Sequence, residues 1–382
     1  MTKTVVILGA GWAGLPLAYK LLKYTVPKAP SGVKVILVSP NSHFFWNVAA
    51  TRGIIPGEIP EEQLFLPIKP GFAQYSADDF EFVLGAAESI DRTATVVNVT
   101  TNEGTQRSIP YDQLVIATGS RIASNLPFKP IGTHETTLAA WQALQRQIGD
   151  SRSIVIAGAG PTGVEVAGEL AATNGSKKET TLIISGDKPL EGLLPSVRAT
   201  VEKDLQKLGV KVICNARVTG VKESSEGKQK TLTLSNGSTL VADVYLPLYG
   251  VQVNTTFVPK DLLDSDGNVR LDQSMRVVGA DNIWGIGDVG NIEPKQLTVT
   301  DNQIIHMAAV LHAVMTDSGP VKPYQPMGRT MIFLTLGRKM ATGQIGNWKL
   351  FGFLVSYVKG RRLFVDTAED YVGGQHLRHA PM

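Results

Sequence analysis

Six glycines carry the first chemistry legible in this sequence. Gly9, Gly11 and Gly14 stand in the spacing G-x-G-x-x-G, and Gly158, Gly160 and Gly163 repeat it further along the chain. In that spacing the first glycine permits a tight turn and the second lets backbone approach a pyrophosphate. The third lets the following helix pack close to the preceding strand. The helix start then offers free N–H groups and partial positive charge to the phosphates. The spacing alone is a weak signal, so its context decides. Residues 4–8 (TVVIL) and 153–157 (SIVIA) are apolar strand candidates placed directly before the two turns. Two such units imply two dinucleotide sites.

Other residues narrow the chemistry. A carboxylate at the end of the second strand of such a unit usually holds the adenosine ribose. The first unit has Ser39-Pro40 there, and the second has Ser185-Gly186-Asp187-Lys188. The Ser39 hydroxyl suits a ribose. At the second site Asp187 favours NADH and Lys188 favours NADPH, and both stay open. Asp288 ends the apolar run 282–289, where a polyol would satisfy its carboxylate. The chain has one cysteine, Cys214, so it holds no C-x-x-C pair, and dithiol chemistry is excluded. Cys214 follows Val-Lys-Val-Ile and reads as a buried strand residue. His306 and His312 are six apart, a spacing that does not share a helix face, so they read as core or surface residues without a metal.

Stepping outward to the elements, helices are expected at about 14–24 and 162–172, each followed by a strand, at 33–38 and 179–184. Alternating strands and helices argue for α/β architecture with parallel sheets, here two Rossmann-like dinucleotide-binding domains. A further buried strand leads to Ser120, a hairpin is expected over Lys228 to Leu240 about Asn236-Gly237, and prolines near 319–326 mark a linker. The division expected is a discontinuous FAD-binding domain of 1–120 and 255–322, an NAD(P)H-binding domain of 121–254, and a C-terminal α+β domain of 323–382. A length of 382 residues fits two or three domains at roughly 100–200 each. Apolar residues at 43% and charged residues at 19% fit a globular chain with a sizeable core, and a net charge of +3 calls for no nucleic-acid partner. Neither a signal peptide nor a spanning apolar run is read, and residue 2 is Thr rather than the glycine of a myristoylation signal. A cytoplasmic location, peripheral on a membrane or not, is the expectation.

The chain resembles the apoptosis-inducing-factor-like flavoproteins of the ferroptosis-suppressor (AMID-like) type, and more distantly the type II NADH:quinone oxidoreductases. The residues that carry the resemblance are GAGWAG at 9–14, NVAATR at 47–52, LVIATGS at 114–120 and GAGPTGVE at 158–165. LLPSVR at 193–198, IWGIGD at 283–288, LGR at 336–338 with GQI at 343–345, and KGRRLFV at 359–365 complete the series. They stand in family order across essentially the whole chain. The resemblance implies FAD on the first glycine turn and NAD(P)H on the second, with hydride passing between them. It implies that Thr118 and Gly119 close over FAD, that Asp288 meets the ribityl hydroxyls, and that Asn47, Arg52 and Ala87 lie along the cofactor. Glu165 would face the nicotinamide–flavin junction and Lys359 the flavin edge. The plainer alternatives are a first-turn helix acid for Glu165 and a solvated base for Lys359. Leu248-Tyr-Gly250 departs from the family's turn, and Tyr249 would narrow the nicotinamide pocket. The activity implied is an FAD-dependent NAD(P)H oxidoreductase that passes electrons to a quinone-type acceptor. The alternatives are a reductase of a small redox protein and a flavin-based NADH-sensing, pro-death signalling protein.

One segment stands apart. Residues 348–358 (WKLFGFLVSYV) are apolar almost all round if helical, and Lys359, Arg361 and Arg362 follow. At 1.5 Å per residue, about 11 residues reach only about 16 Å, too short to span a bilayer. Residues 347–362 therefore read either as a membrane-facing, quinone-admitting surface or as a helix buried in a core or homodimer contact.

Overall fold

The computed structural model describes residues 2–225, 227 and 229–375. The first strand, β1 (Lys3–Leu8), has its last four residues buried, as in a strand covered on both faces. It turns through Gly9–Gly11 into α1 (Gly14–Lys20), in which every residue is buried. The helix runs on as one wider turn over Leu21–Thr25, so the expected helix is present with its last turn loosened. β2 (Val33–Ser39) lies parallel to β1, with Lys3 opposite Val33 and Leu8 opposite Val38. A short helix, α2 (Ala50–Gly53), carries Arg52. β3 (Phe80–Asp91) continues the sheet in parallel beyond β2, and β4 (Val96–Thr101) and β5 (Gln106–Pro110) extend it antiparallel. β6 (Gln113–Ile116) returns beside β1 on its other side.

The second unit repeats the plan in smaller form. β7 (Ser153–Ala157) leads into α3 (Pro161–Asn174), whose first residue, Pro161, suits the start of a helix. β8 (Glu179–Ile183), β9 (Lys211–Ile213) and β10 (Val244–Pro247) complete a parallel sheet in the order β9-β8-β7-β10. Cys214 corrects its expectation. It is exposed, because the three-residue edge strand β9 ends at Ile213 and leaves Cys214 outside the sheet. The hairpin forms between Lys230–Leu234 and Thr239–Ala242, with Gly237 at φ +82° in the turn. Its expected first residue, Lys228, lies outside the described residues.

The chain then returns to the first sheet. β11 (Ile283–Gly285) pairs in parallel with β6 and completes the order β11-β6-β1-β2-β3-β4-β5. α4 (Leu297–Thr316) follows. Beyond the prolines, β12 (Met331–Leu336), β13 (Met340–Ile345) and β14 (Trp348–Leu350) form an antiparallel meander. α5 (Gly352–Val355) and a wider turn over Ser356–Gly360 come next. One continuous apolar core contains Ile7, Ile156 and Leu336, so both sheets and the meander share it. Among the described residues, no helix is long and apolar enough to cross a membrane.

Candidate functional site

The two glycine turns make the same close backbone approaches. A side chain at Gly9 would collide with the carbonyl of Ala117, and one at Gly14 with the carbonyl of Gly9. In the second turn, Gly158 is as close to the carbonyl of Leu248, and Gly163 to that of Gly158. Gly9 and Gly158 also adopt φ of +106° and +141°, a region that favours glycine. The middle glycines differ from all four, since a Cβ on Gly11 or Gly160 meets nothing within 4 Å. The outer glycines are therefore required by the fold, while the space over the middle one is left for a ligand.

Above the first turn lies a cavity of about 910 Å³. Of the residues expected along the cofactor, Gly9, Gly11, Ser39, Asn47, Ala87, Thr118, Gly119 and Asp288 line it. Gly14 stands behind the turn. The Trp12 indole donates to the Asn47 Oδ1 at 2.7 Å and fixes that side chain. Asn254 clamps the Thr118–Gly119 turn: its carbonyl accepts from the Thr118 hydroxyl at 2.6 Å, and its backbone N–H donates to the Gly119 carbonyl at 3.0 Å. Asp288 sits in a one-turn helix over Gly287–Val289 and accepts from Ser120 Oγ at 2.5 Å and from Lys129 Nζ at 2.7 Å. Burial alone would raise the Asp288 carboxyl, but Lys129 and the Ser120 hydroxyl outweigh it and hold the group below the usual carboxylate range. Lys129 was missed from the sequence, where nothing in its loop marks it. A cleft with open space over a helix start, a hydroxyl at the end of β2 and a partly exposed carboxylate fits the pyrophosphate, ribose and polyol of FAD.

Arg52 departs from its expected place. It is not on the wall of this cleft. Its guanidinium makes a bidentate pair with Glu169 of α3, at 2.8 and 2.9 Å, and each side chain is 1% exposed. Glu165, one helical turn earlier, is paired with Lys359 at 2.6 Å. Neither Glu165 nor Lys359 lines the cleft. The Thr335 hydroxyl of β12 lies 3.2 Å from Glu165 and 3.3 Å from Glu169, and the Thr335 backbone N–H donates to Glu165. Burial raises the Glu169 carboxyl despite the opposing pull of Arg52. Two carboxylates on one face of α3 thus meet one cation from α2 and one from the C-terminal segment. The first-turn-acid and solvated-base alternatives fall away, because Glu165 and Lys359 neutralise each other inside the protein. Tyr249 is 52% exposed, with its hydroxyl 3.4 Å from that of Tyr245. His306 lies by the Ser274 carbonyl and His312 by the Thr25 hydroxyl, and no group of three potential ligands gathers among the described residues.

Residues 3–307 match the pyridine nucleotide-disulphide oxidoreductase family. The chain belongs to that family. It is a flavoenzyme oxidoreductase, and its cofactors are FAD and NAD(P)H. The oxidoreductase ptaL of Pestalotiopsis fici is 42% identical, covering 98% of this chain and all of that one. Ferroptosis suppressor protein 1 of Homo sapiens is 28% identical over 95% of this chain and 94% of its own, in line with the resemblance read from the motifs. Among solved structures, the sulfide:quinone oxidoreductase of Aquifex aeolicus shares the fold at a TM-score of 0.75 and 21% identity, covering 98% of this chain and 92% of that one. NDH2 of Plasmodium falciparum, in complex with NADH, does so at 0.71 and 14%, covering 98% and 96%. The family name includes a disulphide, yet Cys214 has no second cysteine to pair with.

Proposed function

We propose that this protein is a one-chain NAD(P)H:quinone oxidoreductase. It takes a hydride from NAD(P)H and, with one further proton from solvent, passes two electrons and two protons to a quinone, giving NAD(P)⁺ and a quinol. The observation that carries the reading is the pair of glycine turns, each with open space over its middle glycine, in a chain whose only thiol is alone and exposed. Electrons leaving the flavin have no internal dithiol to receive them, so the acceptor is external. The Aquifex aeolicus fold-mate is itself a sulfide:quinone oxidoreductase, and the Plasmodium falciparum one binds NADH.

In this reading residues 1–120 and 255–322 hold FAD, and 121–254 hold NAD(P)H. The bound flavin supplies the hydride-accepting ring, and the protein supplies position and charge. Gly9, Gly11 and Gly14 seat the pyrophosphate, Ser39 meets the ribose, Thr118 and Gly119 close the cleft, and Ala87 and Asn47 form its walls. Asp288, held anionic by Lys129, accepts from the polyol. Gly158, Gly160 and Gly163 seat the second dinucleotide. Glu165 and Lys359 tune the field at the site rather than transfer protons obligatorily.

An acceptor screen tests the reading: oxidation of NADH and NADPH by the purified holoenzyme is followed with water-soluble short-chain quinones, ferricyanide, oxygen and a ferredoxin. Quinones should give the fastest turnover. Fast turnover with the ferredoxin alone, or a stable charge-transfer complex with negligible turnover, would overturn it.

A further inference from the structure

We infer that residues 348–362 form a docking face for an anionic lipid bilayer. The segment was expected to be one helix, but it is a strand, β14, followed by the short helical stretch Gly352–Gly360. That stretch is inside out. Val355 and Lys359 point inward, with Lys359 paired to Glu165, while Phe353, Leu354, Tyr357 and Val358 point outward. Helices on soluble surfaces place the charge outside and the apolar stripe inside. Trp348 is 80% exposed, Phe351 73% and Phe353 76%, more than any other large apolar residue of the described chain. The Phe351 and Phe353 rings lie 5.9 Å apart, forming a joint apolar projection.

Charge points to the occupant. Residues 318–365 contain eight Lys and Arg and no Asp or Glu, so this stretch is +8 in a chain whose net charge is +3, leaving −5 for the rest. Within the protein Lys359 pairs with Glu165, Arg338 with Glu58 and Arg362 with Asp366, while Lys349 and Arg361 flank the aromatics, with the Arg361 guanidinium 4.7 Å from the Tyr357 ring. Aromatic tips rimmed by cations are the composition that settles at the headgroup level of an anionic membrane. A second copy of the chain would set Lys349 and Arg361 against the same cations, which disfavours a homodimer through this face. The Gly352–Gly360 stretch is too short to cross a bilayer, so the contact is peripheral. The use of this face to admit a lipid-soluble quinone rests on the proposed reaction; the docking does not.

Flotation of the FAD-loaded full-length enzyme tests the docking without any turnover. The enzyme should float with vesicles of phosphatidylcholine and phosphatidylserine at low salt, and much less with phosphatidylcholine alone. A Phe351→Glu, Phe353→Glu double variant should lose binding at least ten-fold while keeping its FAD and its rate with water-soluble quinone. The single variant Phe353→Ser, expected to weaken binding in the same direction, serves if the double variant fails to fold. Three outcomes would overturn the inference: a wild type that ignores anionic vesicles, folded variants that float as well as the wild type, or a solution dimer that these substitutions dissolve. Failure of quinone turnover with intact flotation would instead sink the proposed reaction and leave the docking standing.

Discussion

The two glycine turns share a backbone and differ in the helix behind them. Counting from the third glycine, Pro16 of α1 stands where α3 has Glu165, and Lys20 where α3 has Glu169. Three other buried positions are alike, with Leu15, Leu17 and Ala18 matched by Val164, Val166 and Ala167, whereas Tyr19 stands where α3 has Gly168. α1 packs on α4 within the first unit, whereas α3 packs on β12 of the C-terminal meander. The first turn, ahead of its helix, opens on a cavity of about 910 Å³. The second helix carries the buried charges through which Arg52, Thr335 and Lys359 reach the second unit from other parts of the chain. Repetition of a motif therefore fixes the seat of a dinucleotide, while the inner face of its helix decides what the rest of the protein can do to it.

Filling the two middle glycines in turn should separate the two turns. Gly11→Val should fold, because a Cβ there meets no protein atom, yet give colourless protein with no bound FAD. Gly160→Val should remain yellow and instead raise the KM for NAD(P)H by at least about ten-fold, the effect of losing on the order of 1.4 kcal/mol of binding. Absorbance at the flavin band and steady-state kinetics separate the two. Full FAD retention in Gly11→Val would sink the assignment of the first turn.

The charged face of α3 offers the next test. Arg52→Ala leaves Glu169 buried without its partner, and removing one member of a buried pair costs about 3–5 kcal/mol. Replacing both, as Arg52→Met with Glu169→Leu, should recover most of that loss, since well-packed apolar pairs often equal buried ion pairs. Denaturant unfolding of the three proteins measures it. If Arg52→Ala is as stable as the wild type, the pair does not tie α2 to α3.

The parts of this site legible in the sequence are those made by neighbours along the chain. The glycine turns need only a strand, three glycines and a helix within about a dozen residues, so spacing revealed them. Asp288 was legible because a lone acid ending an apolar run needs a polar partner. Lys129, Glu169 and Thr335 were not, because their partners lie 159, 117 and 170 residues away, and no periodicity encodes such a meeting. Arg52 was found by resemblance, but the Glu169 that claims its guanidinium was not. Cys214 was misread because an apolar run does not announce that its strand stops one residue short. Residues 348–358 were read as one helix because apolar content was high throughout, whereas Lys349–Leu350 pair with Gly343–Gln344 and hold the first part extended.

Glu165 and Lys359 form a buried pair with no counterpart on α1. Glu165→Gln and Lys359→Met should each slow turnover by up to about 10²–10³, the range of a lost electrostatic contact at a reacting site. Because the two act as one unit, the double substitution should cost little more than either alone. FAD content should be unchanged in all three, because neither residue lines the first cleft. Rapid-mixing measurement of flavin bleaching by NADH reads the effect, and wild-type rates in both single variants would remove them from the mechanism.

The smallest expected effect belongs to the first cleft alone and is one of pH. Asp288 is held below the usual carboxylate range, although burial pushes it up, because Lys129 and Ser120 favour its charged form. A carboxyl lowered in the folded state contributes stability that is present above its unfolded pKa of about 3.9 and is lost as pH falls through the lower folded value. FAD held through an anionic Asp288 should therefore stay bound through mild acid and be released only at the low end. Lys129→Met removes the largest opposing influence and leaves burial in control, so the acid edge of FAD release should move up. Flavin fluorescence recorded against pH shows the edge directly. Since Lys129 lines only the first cleft, the KM for NAD(P)H at neutral pH should stay as it was. A KM that rose with the edge unmoved would place Lys129 in the second site and undo the separation of the two turns.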